Sequence, residues 1–286
     1  MQAASPTEQP KRQRVAGYLR LSVEAAPSQP HRFARKEFKS PIHISKPYWD
    51  GHSLLLNLMC PTAGMLGGDE VELDVRVDEG AALVLSNPSS LRIHKMDAQE
   101  GAQWQQRFRV GPRALLESNP EWLILQAESS FVQRTSIDLS TGAELFFVET
   151  IAPGRVAHGE QFGFRSFRNR LQLRYEGQLA LDEKFHIRPS QQTDLGWIEP
   201  AHGKRPFYAS LLLCSQTLQD DSPLWQRIYE MQDEQTLIGS SRLAHGPVWS
   251  VKLLSSSSPA IRARVESIRQ LFYQQMGRPA QKLRRQ

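Results

Sequence analysis

The sequence predicts a protein dominated by β-structure, with a small C-terminal portion of two helices. Short segments with alternating or β-rich residues recur along most of the chain, and Gly, Pro, Asn and Asp separate them. Helical periodicity is confined to the last quarter. Because no helical segments lie between the strands, a doubly wound α/β fold is excluded. We expect an antiparallel-rich body in which one sheet is layered on another.

The body contains a dozen predicted strands, each bounded by turn residues. They cover 17–23, 53–58, 70–77, 81–86, 104–110, 114–117, 122–126, 131–139, 143–151, 171–176, 179–186 and 207–213. In the third of these, the charged residues Glu70, Glu72, Asp74 and Arg76 share one face of the strand. We expect that face to be solvated.

Two helices are predicted in the last quarter. The first, near 223–235, begins at the Ser222-Pro223 pair. The second begins at Ser258-Pro259 and ends at Gly277, and it carries an apolar stripe of Ile261, Val265, Ile268, Phe272 and Met276. We interpret this stripe as a core-packing face, with a partner-binding face as the alternative.

One domain, 15–276, is expected between two basic tails, 1–14 and 277–286. Its β body covers about 15–215 and its helical portion about 222–276. The tails carry net charges of +2 and +4, so the remainder of this +5 chain sums to −1. We therefore expect disordered, frayed tails, and a nearly neutral body that does not bind nucleic acid.

Compartment and redox state follow from simple features. No segment approaches the ~20 apolar residues of a membrane span, and the N-terminus has no apolar region of a secretory signal. A cytoplasmic protein without membrane contact is expected. Cys60 and Cys214 are far apart and lack CxxC spacing, which favours two buried free thiols over a disulfide.

Motifs for nucleotide binding and covalent catalysis are absent from the sequence. It contains no P-loop, no GxGxxG after a strand and no GxSxG elbow. The eight histidines are dispersed without the spacing of a closed zinc site. We therefore expect no tightly bound cofactor.

Carboxylates gather near a glycine pair and around the segment TIAPGRVAHG. Asp69 follows Gly67-Gly68, where it either caps a turn or faces an interior path or a cation. Oxygen and imidazole groups suit borderline divalent ions. The candidate transient metal contacts are Asp69, Glu149, His158 and Glu160.

The order of several motifs resembles the UreD (UreH) urease accessory protein family over roughly 17–190. That family has a GGD turn before an alternating strand, a Gly-Ala-rich strand, an LE-x-x-P segment, and then Glu, Gly-Arg and Gly-Glu in close order. The matching residues are Gly67-Gly68-Asp69, Gly80-Ala81, Leu116-Glu117 with Pro120, Glu149, Gly154-Arg155 and Gly159-Glu160.

This resemblance implies an elongated, β-helix-like body and a non-enzymatic role in urease maturation. It implies a scaffold that joins apo-urease to UreF and to the GTPase UreG, and that passes nickel transiently through an internal polar tunnel. It also implies that the stripe on 259–276 and the tail beyond it contact UreF.

The sequence departs from the family pattern in two places. The usual Pro-Gly-Gly before the GGD turn is Pro61-Thr62-Ala63-Gly64 here. The usual Thr-Thr-Gln before Lys-x-Tyr-Arg is Ser86-Asn87-Pro88-Ser89, followed by Ile93-His94-Lys95. We expect the second difference at a strand edge, where it would alter partner contacts.

An enzyme is the alternative hypothesis. A β-sandwich or β-helix enzyme acting on a carbohydrate or small molecule could use Glu149 and Glu160 as its carboxylate pair. Such an enzyme requires two carboxyl groups about 5–10 Å apart in an open cleft.

Overall fold

The structure is a computed structural model that describes residues 14–26, 29–50, 53–60, 64–190 and 206–283. Within these ranges the chain forms two large sheets and two α-helices, as the fold class predicts. Nearly all of the predicted N-terminal tail lies outside the described residues, as do residues 61–63 of the first departure from the family pattern.

Seven of the described strands form the first sheet. In spatial order they are β15 (Gln178–Ile187), β14 (Ser166–Tyr175), β12 (Ser130–Leu139), β9 (Ala102–Val110), β6 (Glu70–Val77), β1 (Ala16–Ala26) and β2 (Gln29–Lys39). Strands β14, β12, β9, β6 and β1 pair in parallel, and the two outermost strands pair antiparallel.

The second sheet contains eleven strands in the part of the chain that the structure describes. Its main order is β17 (Thr236–Arg242), β18 (Val248–Ser255), β16 (Phe207–Cys214), β13 (Glu144–Ala152), β10 (Leu115–Pro120), β7 (Ala82–Asn87), β5 (Ser53–Met59) and β3 (His43–Ile44). The short strands β4 (Tyr48–Asp50), β8 (Leu91–Ile93) and β11 (Leu123–Leu125) join this sheet beside the main order. Strands β5, β7, β10 and β13 pair in parallel.

The chain alternates between the two sheets and so winds as a solenoid-like coil. Strand β6 is followed by β7 in the opposite sheet, and the chain returns to the first sheet at β9, beside β6. The expectation of an antiparallel-rich body is therefore wrong for the central strands. Parallel pairs need a long crossover, and here strands of the opposite sheet supply it in place of helices.

A turn repeats at one end of the coil. In the segments 78–81, 111–114 and 140–143, the amide of a final alanine donates to the carbonyl oxygen three residues earlier. The residue before each alanine has a positive φ: 68° at Gly80, 54° at Arg113 and 70° at Gly142. The repeat stacks successive coils in register.

Two hydrophobic cores stabilise the fold. The first fills the space between the sheets, and it includes Val71, Leu73, Phe108 and Phe147. The second lies between the other face of the second sheet and the helices α1 (Pro223–Tyr229) and α2 (Ser258–Gln275). Burying this apolar area at roughly 25 cal/mol per Å² is the main favourable contribution to folding.

Helix α2 matches its prediction closely. The Ser257 hydroxyl caps it by accepting from the Ala260 amide, and Gly277 follows its end with a φ of 70°. Ile261, Val265, Ile268 and Phe272 of the apolar stripe are buried in the second core. The stripe therefore packs inside the chain, which confirms its interpretation as a core-packing face, and the contact of this helix and the following tail with UreF stays a prediction.

Helix α1 is shorter than predicted, and the helical portion contains two strands. The helix ends at Tyr229 because the Asp233 side chain accepts from the amides of Gln235 and Thr236, which turns the chain into β17. The apolar run that forms β18 was missed, although it is rich in β-formers. The charged strand β2 was also missed.

A buried ion pair attaches α2 to the second sheet. Arg269 Nε donates to Glu117 Oε1 at 2.6 Å, and the Tyr273 hydroxyl donates to Glu117 Oε2 at 2.7 Å. Arg269 Nη2 also donates to the Gln281 carbonyl oxygen at 2.8 Å. The C-terminal segment is thus held against α2 at Gln281, so the expectation of a frayed tail is wrong there, and residues 284–286 lie outside the described part.

Several smaller predictions have a clear outcome. Glu70 and Glu72 are exposed and Asp74 is half-buried, which confirms the solvated face. Ser86 is buried at 5% exposure on β7, between β5 and β10, so the second departure does not begin at a strand edge. Cys214 is buried and Cys60 is half-buried, and neither forms a disulfide. In the described ranges, none of the helices has the length and apolar character needed to cross a membrane.

Candidate functional site

Glu149 is a buried carboxylate in the interior between the two sheets. It lies on β13 of the second sheet with 5% exposure. Gln133 Nε2 donates to its Oε1 at 2.7 Å and Thr135 Oγ1 at 3.2 Å, while Asn169 Nδ2 donates to its Oε2 at 3.2 Å. Three side chains of the first sheet therefore surround one carboxylate of the second.

Strand alternation places these polar groups inward. Along β12 every second residue is buried, so Gln133 and Thr135 lie in the same inward row as Phe131 and Ile137. Gln106 Nε2 on the neighbouring strand donates to Thr135 Oγ1 at 2.9 Å and extends the network. Polar residues thus occupy positions where apolar side chains would pack.

A small cavity adjoins Glu149. Its volume is about 60 Å³, and its lining includes Gln106, Gln133, Glu149 and Thr150 among apolar side chains such as Leu73 and Phe147. This space is large enough for a few water molecules or an ion. It is far below the roughly 300–1,000 Å³ of a typical small-molecule pocket.

Burial raises the pKa of Glu149, because the charged form loses its hydration. Hydrogen bonds from Asn169, Thr135 and Gln133 and the charge of Lys252 oppose this effect without cancelling it. The Asn169 Oδ1 atom is buried and has no hydrogen-bond partner in the described part of the chain.

A second polar group continues from Glu149 toward the surface. Ser210 on β16 pairs directly with Glu149 on β13. Lys252 Nζ donates a hydrogen bond to the Ser210 hydroxyl at 2.7 Å. Lys252 Nζ also donates to Glu183 Oε2 at 2.5 Å, and the Tyr208 hydroxyl donates to Glu183 Oε1 at 3.3 Å. Because Lys252 and Glu183 are partly exposed, polar side chains extend from the interior toward solvent.

Asp69 lies in the turn that precedes β6. Its Oδ2 accepts from the Leu66 amide at 2.9 Å and its Oδ1 from the Val15 amide at 3.3 Å, and the side chain has 6% exposure. Gly68 supplies the positive φ of 84° that this turn needs. Asp69 therefore has the geometry of a turn cap that also ties the start of β1 to the coil.

Glu160 and His158 lie in the loop after β13. Glu160 Oε1 accepts from the Ala127 amide at 2.9 Å, and Oε2 accepts from Arg155 Nε at 2.9 Å. Partial burial raises the pKa of Glu160, but the bonds from Arg155 and Ala127 outweigh it, so the pKa is lowered. His158 is exposed on a short 3₁₀ helix, Val156–His158.

The structure does not gather the four predicted residues into one site. Only Glu149 lines the internal cavity. Among the residues that the structure describes, no group of three or more His, Cys, Asp or Glu side chains is placed to hold a metal ion. The sequence reasoning missed Gln133, Thr135 and Asn169, although each is a polar residue at an inward position of an alternating strand.

Comparison with known proteins gives one consistent result. The family model described as UreD urease accessory protein matches residues 15–286. A protein of Opitutus terrae with the name Urease accessory protein UreD is 32% identical over 89% of this chain and 93% of its own length. Proteins with the same name from Acetivibrio thermocellus and Herpetosiphon aurantiacus are 28% and 27% identical over 82% and 91% of this chain, and over 89% and 88% of their own lengths.

Proposed function

Because the chain belongs to the UreD urease accessory protein family, we propose that it is a non-catalytic scaffold for urease maturation. In this proposal it joins apo-urease to UreF and the GTPase UreG, and it helps to deliver nickel to the urease active site through an internal polar passage. The proposal places this step in the cytoplasm, with nickel as a transient cargo.

The buried Glu149 carboxylate carries the proposal. An unpaired buried charge is costly, and an apolar residue would fill the same space at lower cost to folding. The interior nevertheless holds a carboxylate, two carboxamides and a hydroxyl that contact one another. These neutral and anionic oxygens offer a divalent ion weak contacts that it can leave.

Protonation supplies a release mechanism. Nickel binds the carboxylate form of Glu149, so a proton competes with the ion for the same oxygens. The raised pKa of Glu149, caused by burial, brings this competition closer to neutral pH. An ion held in this way is displaced more easily than one held by thiolates.

Of the four residues that the sequence nominates, Glu149 is the one we propose as a direct contact in the interior. Asp69 and Glu160 already accept backbone or guanidinium hydrogen bonds with both carboxylate oxygens. We propose that they act at the ends of the passage, where exposed His158 would also meet the ion. Substitution of each residue alone would distinguish the interior contact from those at the ends of the passage.

The enzyme alternative is less well supported. Glu149 is enclosed beside a cavity of about 60 Å³, which is too small for a sugar. Glu160 does not line that cavity, and Arg155 holds it as a carboxylate in a surface loop. These two glutamates therefore lack the shared open cleft of a glycosidase pair.

Co-expression tests the proposed function. Urease subunits are produced with UreF and UreG, with or without this chain, and purified urease is analysed for nickel content and for bound accessory proteins. The proposal expects urease with little nickel when the chain is omitted, and co-purification of UreF only when the chain is present. Full nickel loading without the chain would refute the delivery role.

A further inference from the structure

Cations dominate the outward face of one half of the first sheet. We name this surface the basic face and define it as the outward side chains of β9, β12, β14 and β15. It carries Arg107, Arg109, Arg134, Arg168, Arg170, Arg174 and Lys184, and among its described residues the carboxylates are Asp138 and Asp182. The basic face is therefore strongly positive, although the body of the chain is nearly neutral.

The register of the strands aligns like charges side by side. Arg134 on β12 is the direct neighbour of Arg170 on β14, which in turn is the neighbour of Lys184 on β15. Neighbouring strands are about 4.8 Å apart, and like charges in directly opposite positions destabilise a sheet. Within this row Asp182 bridges Arg170 and Lys184, whereas Arg134 has no such carboxylate among its described hydrogen-bond partners.

Bonds within the chain neutralise only part of this charge. Asp182 binds Arg170 and Lys184 at 3.0 Å each, and Asp74 binds Arg109. The other contacts are to neutral acceptors, since Arg134 Nη1 donates to Gln103 Oε1 and Arg174 Nη1 to the Gly177 carbonyl oxygen. The guanidinium groups of Arg134 and Arg174 are thus held in place without a carboxylate among their described hydrogen-bond partners.

We propose that the basic face is a docking surface for an acidic patch on a folded protein partner. Charge complementarity identifies the partner's chemistry, because planar guanidinium groups bind carboxylates through two parallel hydrogen bonds. Four strands of about ten residues span roughly 15 by 30 Å. That area fits within one side of a standard protein interface of about 800 Å².

The boundary of the basic face argues against an extended polyanion. Strand β6 lies directly beside β9, and on the same side of the sheet it presents three carboxylates, Glu70, Glu72 and Asp74, against one cation, Arg76. A nucleic acid or an anionic membrane that covered this side would meet those carboxylates. A folded protein with a bounded acidic patch avoids them.

Two triple variants of the full chain test the proposal. R134Q/R168Q/R174Q removes three cations from the basic face, and R32Q/R35Q/K39Q removes three from β2 at the opposite edge of the same sheet. Binding is measured against purified apo-urease and UreF at low and high salt. These probes rest on the proposed function, and duplex DNA and phosphatidylserine vesicles serve as the polyanion probes.

We expect R134Q/R168Q/R174Q to bind either apo-urease or UreF about tenfold more weakly than the wild type does at low salt. The difference should be smaller at high salt. The β2 variant binds as the wild type does. Equal binding by both variants, or tighter binding of the wild type to DNA or vesicles than to either protein, overturns the docking proposal. Failure of the wild type to bind either protein at any salt concentration overturns the proposed function as well.

Discussion

Gln133 on the first sheet and Glu149 on the second are joined across the protein interior by a hydrogen bond of 2.7 Å. Thr135 and Asn169 complete the contacts of this carboxylate. Interiors normally exclude such groups unless all of them are satisfied. The polar centre thus costs stability that an apolar core would not, and this cost indicates a function for the interior.

Substitution of Glu149 should expose that cost. Burial raises the pKa of Glu149 above its ordinary value, so the folded state binds a proton that the unfolded state releases. The contribution of this proton to the free energy of unfolding is fully present below the ordinary carboxyl pKa. It is lost as the pH rises through the pKa that Glu149 has in the folded state. Glu149→Gln should therefore raise the melting temperature near neutral pH and flatten its dependence on pH, as measured by circular dichroism between about pH 5 and 8.

The chain offers a matched control for this measurement. Glu72 lies on the exposed face of β6, and Glu72→Gln removes the same charge without altering the interior. It should leave the pH profile unchanged. A Glu149→Gln protein that is less stable than the wild type near neutral pH would contradict the account of the buried carboxylate.

Substitution of Asp69 distinguishes a structural role of this side chain from a role in metal binding. Both of its oxygens accept backbone amides, so Asp69→Ala should reduce the free energy of unfolding by about 1–2 kcal/mol, and Asp69→Asn by less. Urea denaturation measures the loss. If Asp69→Ala keeps full stability while urease activation falls, Asp69 acts on the ion and not on the turn.

Arg269 should be essential for docking helix α2. Arg269→Met leaves the carboxylate of Glu117, which is 0% exposed, without its cation, and it should cost about 3–5 kcal/mol. Tyr273→Phe removes one hydrogen bond and should cost about 1–2 kcal/mol. Denaturant titration compares them, and a smaller loss for Arg269→Met than for Tyr273→Phe would contradict this role.

The repeated turn predicts opposite effects at two equivalent positions. Arg113 has a φ of 54°, so Arg113→Gly should stabilise the chain by up to about 1 kcal/mol. Gly142 has a φ of 70°, so Gly142→Ala should destabilise it by a similar amount. Thermal melts measure both, and shifts of the same sign would contradict the equivalence of the turns.

Much of the fold was predictable from local patterns. The alternation in 70–77 matched β6 residue for residue, and the Ser-Pro start and Gly end located α2. Strand partners were not predictable in the same way, because alternation does not encode whether the neighbour runs parallel. The repeated turn was visible in the sequence only in part, because Gly80 and Gly142 before Ala81 and Ala143 suit a positive φ, whereas Arg113 before Ala114 gives no such signal.

The candidate site was only partly predictable. Glu149 could be nominated as a carboxylate in a motif, but its three partners come from strands β12 and β14, and only the register of the coil brings them together. Residues near Glu149 in sequence did not join it, since Glu160 binds Arg155 and Ala127 instead. Closeness in sequence did not predict the contacts of Glu149, because the loop after β13 leaves the protein interior.

The most direct test of the central claim is the nickel content of urease matured with the Glu149→Gln chain. Urease subunits, UreF and UreG are co-expressed with the wild-type, Glu149→Gln or Glu72→Gln chain, and nickel per urease active site is measured by mass spectrometry after purification. The account predicts an intact complex with markedly reduced nickel for Glu149→Gln, and normal loading for Glu72→Gln. Equal nickel loading by all three chains would contradict a passage through the interior at Glu149.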